Sequence, residues 1–429
     1  MRRLVPVLAG LVAPVALSAQ LPRTTARALG MLHSQTASAR GYEAIAWNPA
    51  LLAMPGRPSF SVNVFQLAGQ EHSNAFDAGD FFKYSGDTLS TADKDTLLAK
   101  IPDDAPLTLG GSVEATGIAV TIANFGLAFT GGVDAEGRIA KDFAELFLFG
   151  NILRRAPNSP PFSAEGSGAG AWGGATASLA FGLPIPVPMG FLAAGATVKL
   201  TQGIFIAGVE DLGSTLQTDP FDAEARVHFL YTDLEESSGN GFGFGADLGV
   251  AYQLVSGLRL GLTLENAISA MSWDEDALLY HRREYRLVQQ GDIYLDSVIS
   301  ELEDVPFNDN DPLQARLRDS IVSRRTFPTR LRAGAQLQAG PVLLAGDAMV
   351  RVARGLIPGE ARRLSAAAEI PLSVIAFRGG LASDLETGIT FGGGLGLKLG
   401  PMRLDVAGNW SPSGDRQGVQ AAMGLAIMK

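Results

Sequence analysis

The sequence predicts an all-β protein, a transmembrane antiparallel β-barrel of about 14 strands, and three observations carry that prediction. Long segments alternate between apolar residues and small or polar ones. The composition is apolar without offering a helix long enough to cross a bilayer. The connections between the alternating segments sort into short ones and long ones, and the two kinds fall at opposite ends.

The alternation comes first. From Gly241 to Tyr252, residues Phe242, Phe244, Ala246, Leu248, Val250 and Tyr252 share one face, and Gly241, Gly243, Gly245, Asp247, Gly249 and Ala251 share the other. A helix would smear both sets around its circumference, whereas a strand separates them. The same split returns after a tight turn at Ser256-Gly257. There Leu258, Leu260, Leu262 and Leu264 oppose Arg259, Gly261, Thr263 and Glu265. Near the end of the chain, Met402, Leu404, Val406 and Trp410 oppose Arg403, Asp405, Ala407 and Asn409, and Val419, Ala421, Met423, Leu425 and Ile427 oppose Gln420, Ala422 and Gly424. Apolar residues toward lipid and small or polar ones toward a lumen are the pattern of a membrane barrel.

Composition agrees. Of 429 residues, 51 are Gly, 18% are charged and 46% are hydrophobic, an unusual balance for a solvated surface. No stretch after the N-terminus supplies the roughly 18 to 20 consecutive apolar residues of a membrane-spanning helix, so a closed barrel is the way to satisfy backbone polar groups in lipid. Cysteine is absent, which excludes a disulfide framework and thiolate metal sites. Residues 1–19 read as a cleaved signal peptide: Arg2 and Arg3, an apolar run from Leu4 to Leu17, then Ser18-Ala19 before Gln20.

The predicted strands run from Ser59 to Ala68, Thr108 to Ile122, Gly126 to Arg138, Gly168 to Gly182, Phe191 to Val209, Asn240 to Gln253 and Gly257 to Ile268. The remaining seven run from Thr326 to Ala339, Pro341 to Ala353, Ala361 to Pro371, Ser373 to Ala382, Thr387 to Leu399, Pro401 to Ser411 and Gln417 to Met428. Every second connection is short: Ala123 to Phe125, Leu183 to Gly190, Leu254 to Ser256, Gly340, Leu372 and Gly400. The others hold all the long insertions, at 69–107, 139–167, 210–239 and 269–325. Short periplasmic turns opposite long extracellular loops are the outer-membrane arrangement, with both termini periplasmic. Within the insertions, apolar residues returning every three or four positions predict helices at Phe143 to Leu153, Ile293 to Leu302 and Leu313 to Val322.

The loop from Glu210 to Gly239 carries Glu210, Asp211, Asp219, Asp222, Glu224, Asp233, Glu235 and Glu236 against Arg226, in a chain of formal charge −10. Nucleic acid is an unsuitable partner for such a surface. The acidic runs Asp274-Glu275-Asp276 and Asp309-Asn310-Asp311 do not match the calcium loop of an EF-hand and read as solvated surface. Twelve charges fall on the small-residue faces and are expected to line the lumen and pair there: Lys199, Asp247, Arg259, Glu265, Arg332, Asp347, Arg351, Arg363, Glu369, Lys398, Arg403 and Asp405.

Catalytic machinery is not legible. Gly241, Gly243 and Ala246 fit a loose dinucleotide fingerprint but lie inside an alternating strand. His33, His72, His228 and His281 have no metal-ligand spacing. No cofactor, metal or catalytic residue is expected.

Between the signal peptide and the first strand lie Ala39-Arg40-Gly41-Tyr42-Glu43-Ala44 and Trp47-Asn48-Pro49-Ala50-Leu51-Leu52-Ala53. This segment resembles the N-terminal "NPA" region of the FadL/PorV superfamily of outer-membrane barrels, in the form found in its uncharacterised DUF5723 or TraF-like members. The resemblance implies a 14-stranded barrel with residues 20–58 folded inside as a hatch, Trp47, Asn48, Pro49 and Ala50 being part of it, and residues 59–429 forming the wall. It implies passive uptake of hydrophobic small molecules such as long-chain fatty acids or aromatics, with outer-membrane lipids as surroundings. The alternatives are a PorV-like accessory working with secretion-system proteins and a structural surface barrel. Many outer-membrane barrels end in an aromatic residue, whereas this chain ends Ala426-Ile427-Met428-Lys429.

Overall fold

The computed structural model describes residues 24–84, 88–150, 159–218, 221–233, 241–254, 257–290, 293–308, 310–321, 327–353, 360–385, 388–414 and 417–429. The expected signal peptide, residues 20–23 of the expected hatch, Ser256 of the expected turn, and Asp219, Glu235, Glu236 and Asp309 of the acidic loops lie outside them.

Among the described residues nineteen strands form one sheet. Seven long staves open the wall: β1 Phe60–Ser73, β2 Leu107–Ile122, β3 Phe125–Ile139, β5 Gly168–Ile185, β6 Phe191–Asp211, β9 Gly241–Gln253 and β10 Leu258–Trp273. Seven shorter ones complete it: β13 Arg330–Ala339, β14 Val342–Arg351, β15 Arg362–Pro371, β16 Ile375–Ser383, β17 Ile389–Leu399, β18 Met402–Ser411 and β19 Gln417–Met428. β1 pairs antiparallel with β19 from Ser61 opposite Met428 to Ser73 opposite Gln417. That last pairing closes a 14-strand antiparallel barrel, and closure leaves no edge strand in the wall.

Side-chain alternation produces the exterior. Phe125, Leu127 and Phe129 on β3, Leu179, Phe181 and Leu183 on β5, Phe242, Phe244, Leu248 and Val250 on β9, and Leu404, Val406 and Trp410 on β18 are all exposed. Their neighbours in the opposite phase, including Ala128, Ala180, Asp247 and Asn409, are buried. An exposed apolar girdle around a polar interior is the inverse of a soluble barrel and matches a hydrocarbon surround. No helix among the described residues is long and apolar enough to cross a membrane.

The two ends differ. At one end the connections are tight, and the first and last staves meet there, Lys429 N–H donating to Phe60 O at 2.9 Å. At the other end lie all four long insertions. Two predicted helices form there, Lys141–Phe149 and Pro312–Ile321. The third expectation fails: the segment expected to be helical from Ile293 to Leu302 is a strand, β12 Ile293–Pro306, paired with β11 Leu278–Gln290. Two register shifts in that pair, at Tyr280/Arg282 and Glu284/Tyr285, break the strand period, and the residual spacing imitates a helix. Three more strands occupy the insertions, β4 Phe162–Ser163, β7 Thr215–Thr218 and β8 Phe221–Thr232.

These five strands form a branch of that sheet in the order β4, β7, β8, β11, β12. It branches from the wall at β6. The lower part of β6, Phe191 to Gly203, pairs with β9, and the upper part, Ala207 to Asp211, pairs with β8. Beside this fork β10 carries a bulge between Leu264 and Ile268, with Asn266 at φ 48°. Asn tolerates that left-handed conformation better than most residues, and here its N–H donates to Asp247 Oδ1 at 2.7 Å.

Candidate functional site

Residues 25–54 form a compact hatch, buried throughout except at His33 and Arg40, which are partly buried. Its local structure follows from caps. Thr25 Oγ1 accepts from Ala28 N–H at the start of the helix Ala26–Gly30. Asn48, extended at φ −161°, ends the helix Ala44–Trp47 and caps the 3₁₀ turn Pro49–Ala53 through its side chain and Ala50 N–H. Pro49 at the first helical position has no N–H to satisfy. The Trp-Asn-Pro-Ala run is therefore a helix stop fused to a helix start.

The hatch reaches every stave. Its Ala26–Gly30 helix packs on β16 to β19 and its Pro49–Ala53 turn on β5, β6 and β9. The turn Gly41–Glu43 meets β1, β2 and β3. Thr263 Oγ1 on β10 donates to Trp47 O, and Thr36 approaches Gly334 on β13. Ser34 and Ser365 on β15 share a hydrogen bond of 2.8 Å. A segment touching the whole circumference lies across the lumen. Lumen-facing glycines make that fit possible: a Cβ on Gly195 would collide with the backbone of Pro49 and Ala50, and one on Gly261 with Thr36 O.

Polar anchors hold it. Asp347 on β14 accepts from Gln35 N–H at 3.0 Å, Thr36 N–H at 2.9 Å and Thr36 Oγ1 at 2.6 Å. Asn48 Nδ2 donates to Thr36 O at 2.9 Å and to Val250 O of β9 at 3.1 Å. The third anchor is ionic. Arg27 bridges Glu43 at 3.0 Å and Glu369 of β15 at 2.8 Å, and Arg40 approaches Glu369 at 3.6 Å. Arg378 of β16 bonds Glu369 at 2.9 Å and also Asp405 of β18. Three guanidinium groups thus face three carboxylates, and charge buried in this way is retained only when paired.

The remaining sequence-identified charges are distributed around this centre. Lys199 pairs with Asp247 at 2.6 Å behind the β10 bulge. Glu265 meets Arg330 at 3.1 Å and Arg332 at 3.5 Å, and Arg332 stacks 5.0 Å over the Trp47 ring. Arg259 donates to Pro55 O at 3.0 Å. Arg363 pairs with Glu360 at 2.6 Å. Arg351 lines a polar vestibule above the hatch with His72, Glu136 and Asp384, Arg403 is half-buried, and Lys398 is exposed at the short-turn end. Sequence reasoning missed Arg27, Arg330 and Arg378, and quoted Arg40 and Glu43 in the hatch segment without a role for their charges. Arg378 shares the inward phase of a strand whose Phe377 and Leu381 are exposed, so alternation could have found it, while the hatch residues belong to no periodic pattern.

At the long-loop end one face of the branching sheet is apolar where it meets the lumen and charged farther out, through Asp222, Glu224, Arg226 and Arg286. Leu230, Leu278 and Tyr280 pack inward with Trp172, Met271 and Trp273, under Leu317 of the helix Pro312–Ile321. His228 is buried beside them, its Nδ1 2.8 Å from Tyr280 Oη and its Nε2 3.1 Å from Glu284. Burial pushes the Tyr280 hydroxyl up to about 12 and the His228 imidazole down. The opposite face, in register with Val209 and Phe229, forms the floor of a pocket of about 590 Å³ closed at the side by Phe143 and Leu146 of the helix Lys141–Phe149. The acidic runs serve as caps: Asp274 accepts from Asp276 N–H, and Asp311 from Leu313 N–H. No group of three or more His, Asp or Glu among the described residues is placed to hold a metal ion.

A closed barrel with an apolar exterior and a hatch seated across its lumen defines a plugged transmembrane barrel. Residues 49–407 match the family model described as "Family of unknown function (DUF5723)", and the chain belongs to that family. No curated protein matches the sequence. Among solved structures it is similar to the CymD monoaromatic hydrocarbon channel, at 12% identity over 96% of this chain and 99% of that chain, with a TM-score of 0.48. It is also similar to the toluene transporter TodX of P. putida, at 10% identity over 96% and 99% of the two chains and TM-score 0.46. A Pseudomonas aeruginosa FadL homologue matches at 9% identity over 96% and 100%, TM-score 0.49.

Proposed function

We propose that this protein is an outer-membrane barrel for passive uptake of hydrophobic small molecules, its long loops extracellular and its termini periplasmic. The observation that carries the reading is the apolar pocket of about 590 Å³ at the long-loop end of a barrel whose lumen holds a hatch. That volume suits a drug-sized ligand. A water-filled pore for polar solutes has no use for such a chamber or for a buried plug. The pocket collects the ligand from outside, and the hatch keeps ions from following it.

Uptake of radiolabelled aromatics and long-chain fatty acids is to be compared between a strain lacking the gene and the same strain complemented with the intact chain or with Ala225→Trp, which fills the pocket. Reduced uptake in the deletion and the variant supports the reading. Unchanged uptake of every apolar compound sinks it. Recovery in the outer-membrane fraction with heat-modifiable migration checks the location, and cleavage of the long loops by protease added to whole cells checks the orientation.

A further inference from the structure

The helix Lys141–Phe149 sits on the outward side of the wall, and the phase of the staves beneath it shows this. On β3, Phe125, Leu127 and Phe129 are exposed to the surround, and Ile139 shares their phase because β3 pairs with β5 without a shift. On β2 a bulge between Thr116 and Ile118 changes the phase, so that Ile118 and Ile122 below it and Val113 and Leu109 above it all face out and are exposed. Leu107 is next in that series, yet it is only 5% exposed. It packs with Ile101, Ile139 and Ala144, the last of these on the helix. The chamber on the helix's other side is outward too, since Ala169 lines it and shares its phase on β5 with the exposed Leu179 and Phe181.

We infer that the helix Lys141–Phe149 is a membrane-seated element, lying in the acyl layer of the leaflet on the long-loop side with Phe147 against lipid chains. Its charges are Lys141, Asp142 and Glu145, and from Leu146 to Phe149 it is wholly apolar. The first two are tied to the protein: Lys141 Nζ donates to Ile101 O at 2.6 Å and to Asp103 at 2.7 Å, and Asp142 accepts from Ser163 N–H at 3.2 Å. A helical turn apolar all round belongs in a core or in lipid, and Phe147, 78% exposed, is in no core. Continuity with the girdle names the partner. The outward apolar faces of β2 and β3 climb from Ile122 and Phe125 to Leu109 and Ile139 and end beneath the helix, which extends the lipid-facing surface upward on this arc. The inference goes beyond the uptake reading and does not depend on it.

The chain has no cysteine, so a single introduced thiol can be labelled cleanly. Phe147→Cys is compared with Leu127→Cys in the girdle and Ala92→Cys on the exposed side of the helix Thr91–Lys100. Each full-length variant carries the same fluorophore and is reconstituted in phosphatidylcholine liposomes, with and without phosphatidylcholine brominated along its chains. Quenching by the brominated lipid at Phe147→Cys is expected to reach at least about half of that at Leu127→Cys and to exceed that at Ala92→Cys by at least about threefold. Heat-modifiable migration confirms that each barrel is intact, and Phe143→Cys, one turn earlier, replaces Phe147→Cys if that variant does not assemble. Quenching no greater than at Ala92→Cys overturns the inference. Cross-linking of two copies through the introduced thiol without lipid quenching also overturns it, and gives the face to a second copy of the chain.

Discussion

The seven staves β1 to β10 and the seven staves β13 to β19 make two unlike half-walls. The first set runs to 13–21 residues and the second to 9–12. The tall half carries the long insertions and the branching sheet, and it grips the hatch with neutral groups: Ser61 Oγ accepts from Tyr42 N–H, and Thr197 and Thr263 donate to Ile45 O and Trp47 O. The short half grips it with charge, through Asp347, Glu369 and, via Glu369, Arg378. The outer chamber and the charged grip on the plug thus lie on different arcs of one ring.

The largest expected effect removes the object both halves hold. A chain lacking residues 24–54 is expected to conduct ions in planar bilayers where the intact protein is silent; silence of both would show that another element closes the lumen. Next comes the ionic grip. Glu369→Ala leaves Arg27 and Arg378 facing each other across a buried site, a loss of about 3–5 kcal/mol, read as protease cleavage within residues 24–54. If the hatch of this variant resists protease as the parent's does, charge is not what retains it. On the tall half, Gly195→Val overpacks the seat of Pro49 and Ala50 and is expected to cost roughly 1–3 kcal/mol. Its thermal midpoint should fall less than that of Glu369→Ala, and the reverse order would transfer the main grip to the tall half.

Smaller still is Asn48→Ala. It removes one cap and two donated bonds, about 1–2 kcal/mol, and Asn48→Asp should recover only the cap when the midpoints are compared. The smallest effect concerns His228 in the branching sheet. Burial lowers its pKa from the ordinary 6.5, with Glu284 pulling it back toward the charged form. The unfolded state therefore binds more protons below pH 6.5, so this contribution is complete above that pH and lost as pH falls through the folded value. Protease resistance of the long loops should decline between pH 7 and pH 5, and His228→Gln should flatten the decline.

The wall was legible in the sequence because lipid on one side and a crowded lumen on the other impose a period of two on every stave. Leu258 to Glu265 and Met402 to Trp410 show it without interruption, and both are strands. Legibility fell where that double constraint stops. β8, β11 and β12 stand clear of the girdle, and the bulges at Tyr280/Arg282 and Glu284/Tyr285 disturb the period further. The hatch was visible through Trp47-Asn48-Pro49-Ala50, whose capping geometry is local. Its ionic grip was not, since Arg27 and Glu369 lie 342 residues apart and nothing in their neighbourhoods announces the pairing.

The pairing of β1 with β19 has a consequence for assembly. The hatch precedes β1 in the chain, while the seam that encloses it is made by β19, the last stave to emerge. Contacts of such long range are the slowest to form, so the ring stands open for most of its folding time. A plug seated on the open arc before the seam zips is enclosed without having to pass between paired staves.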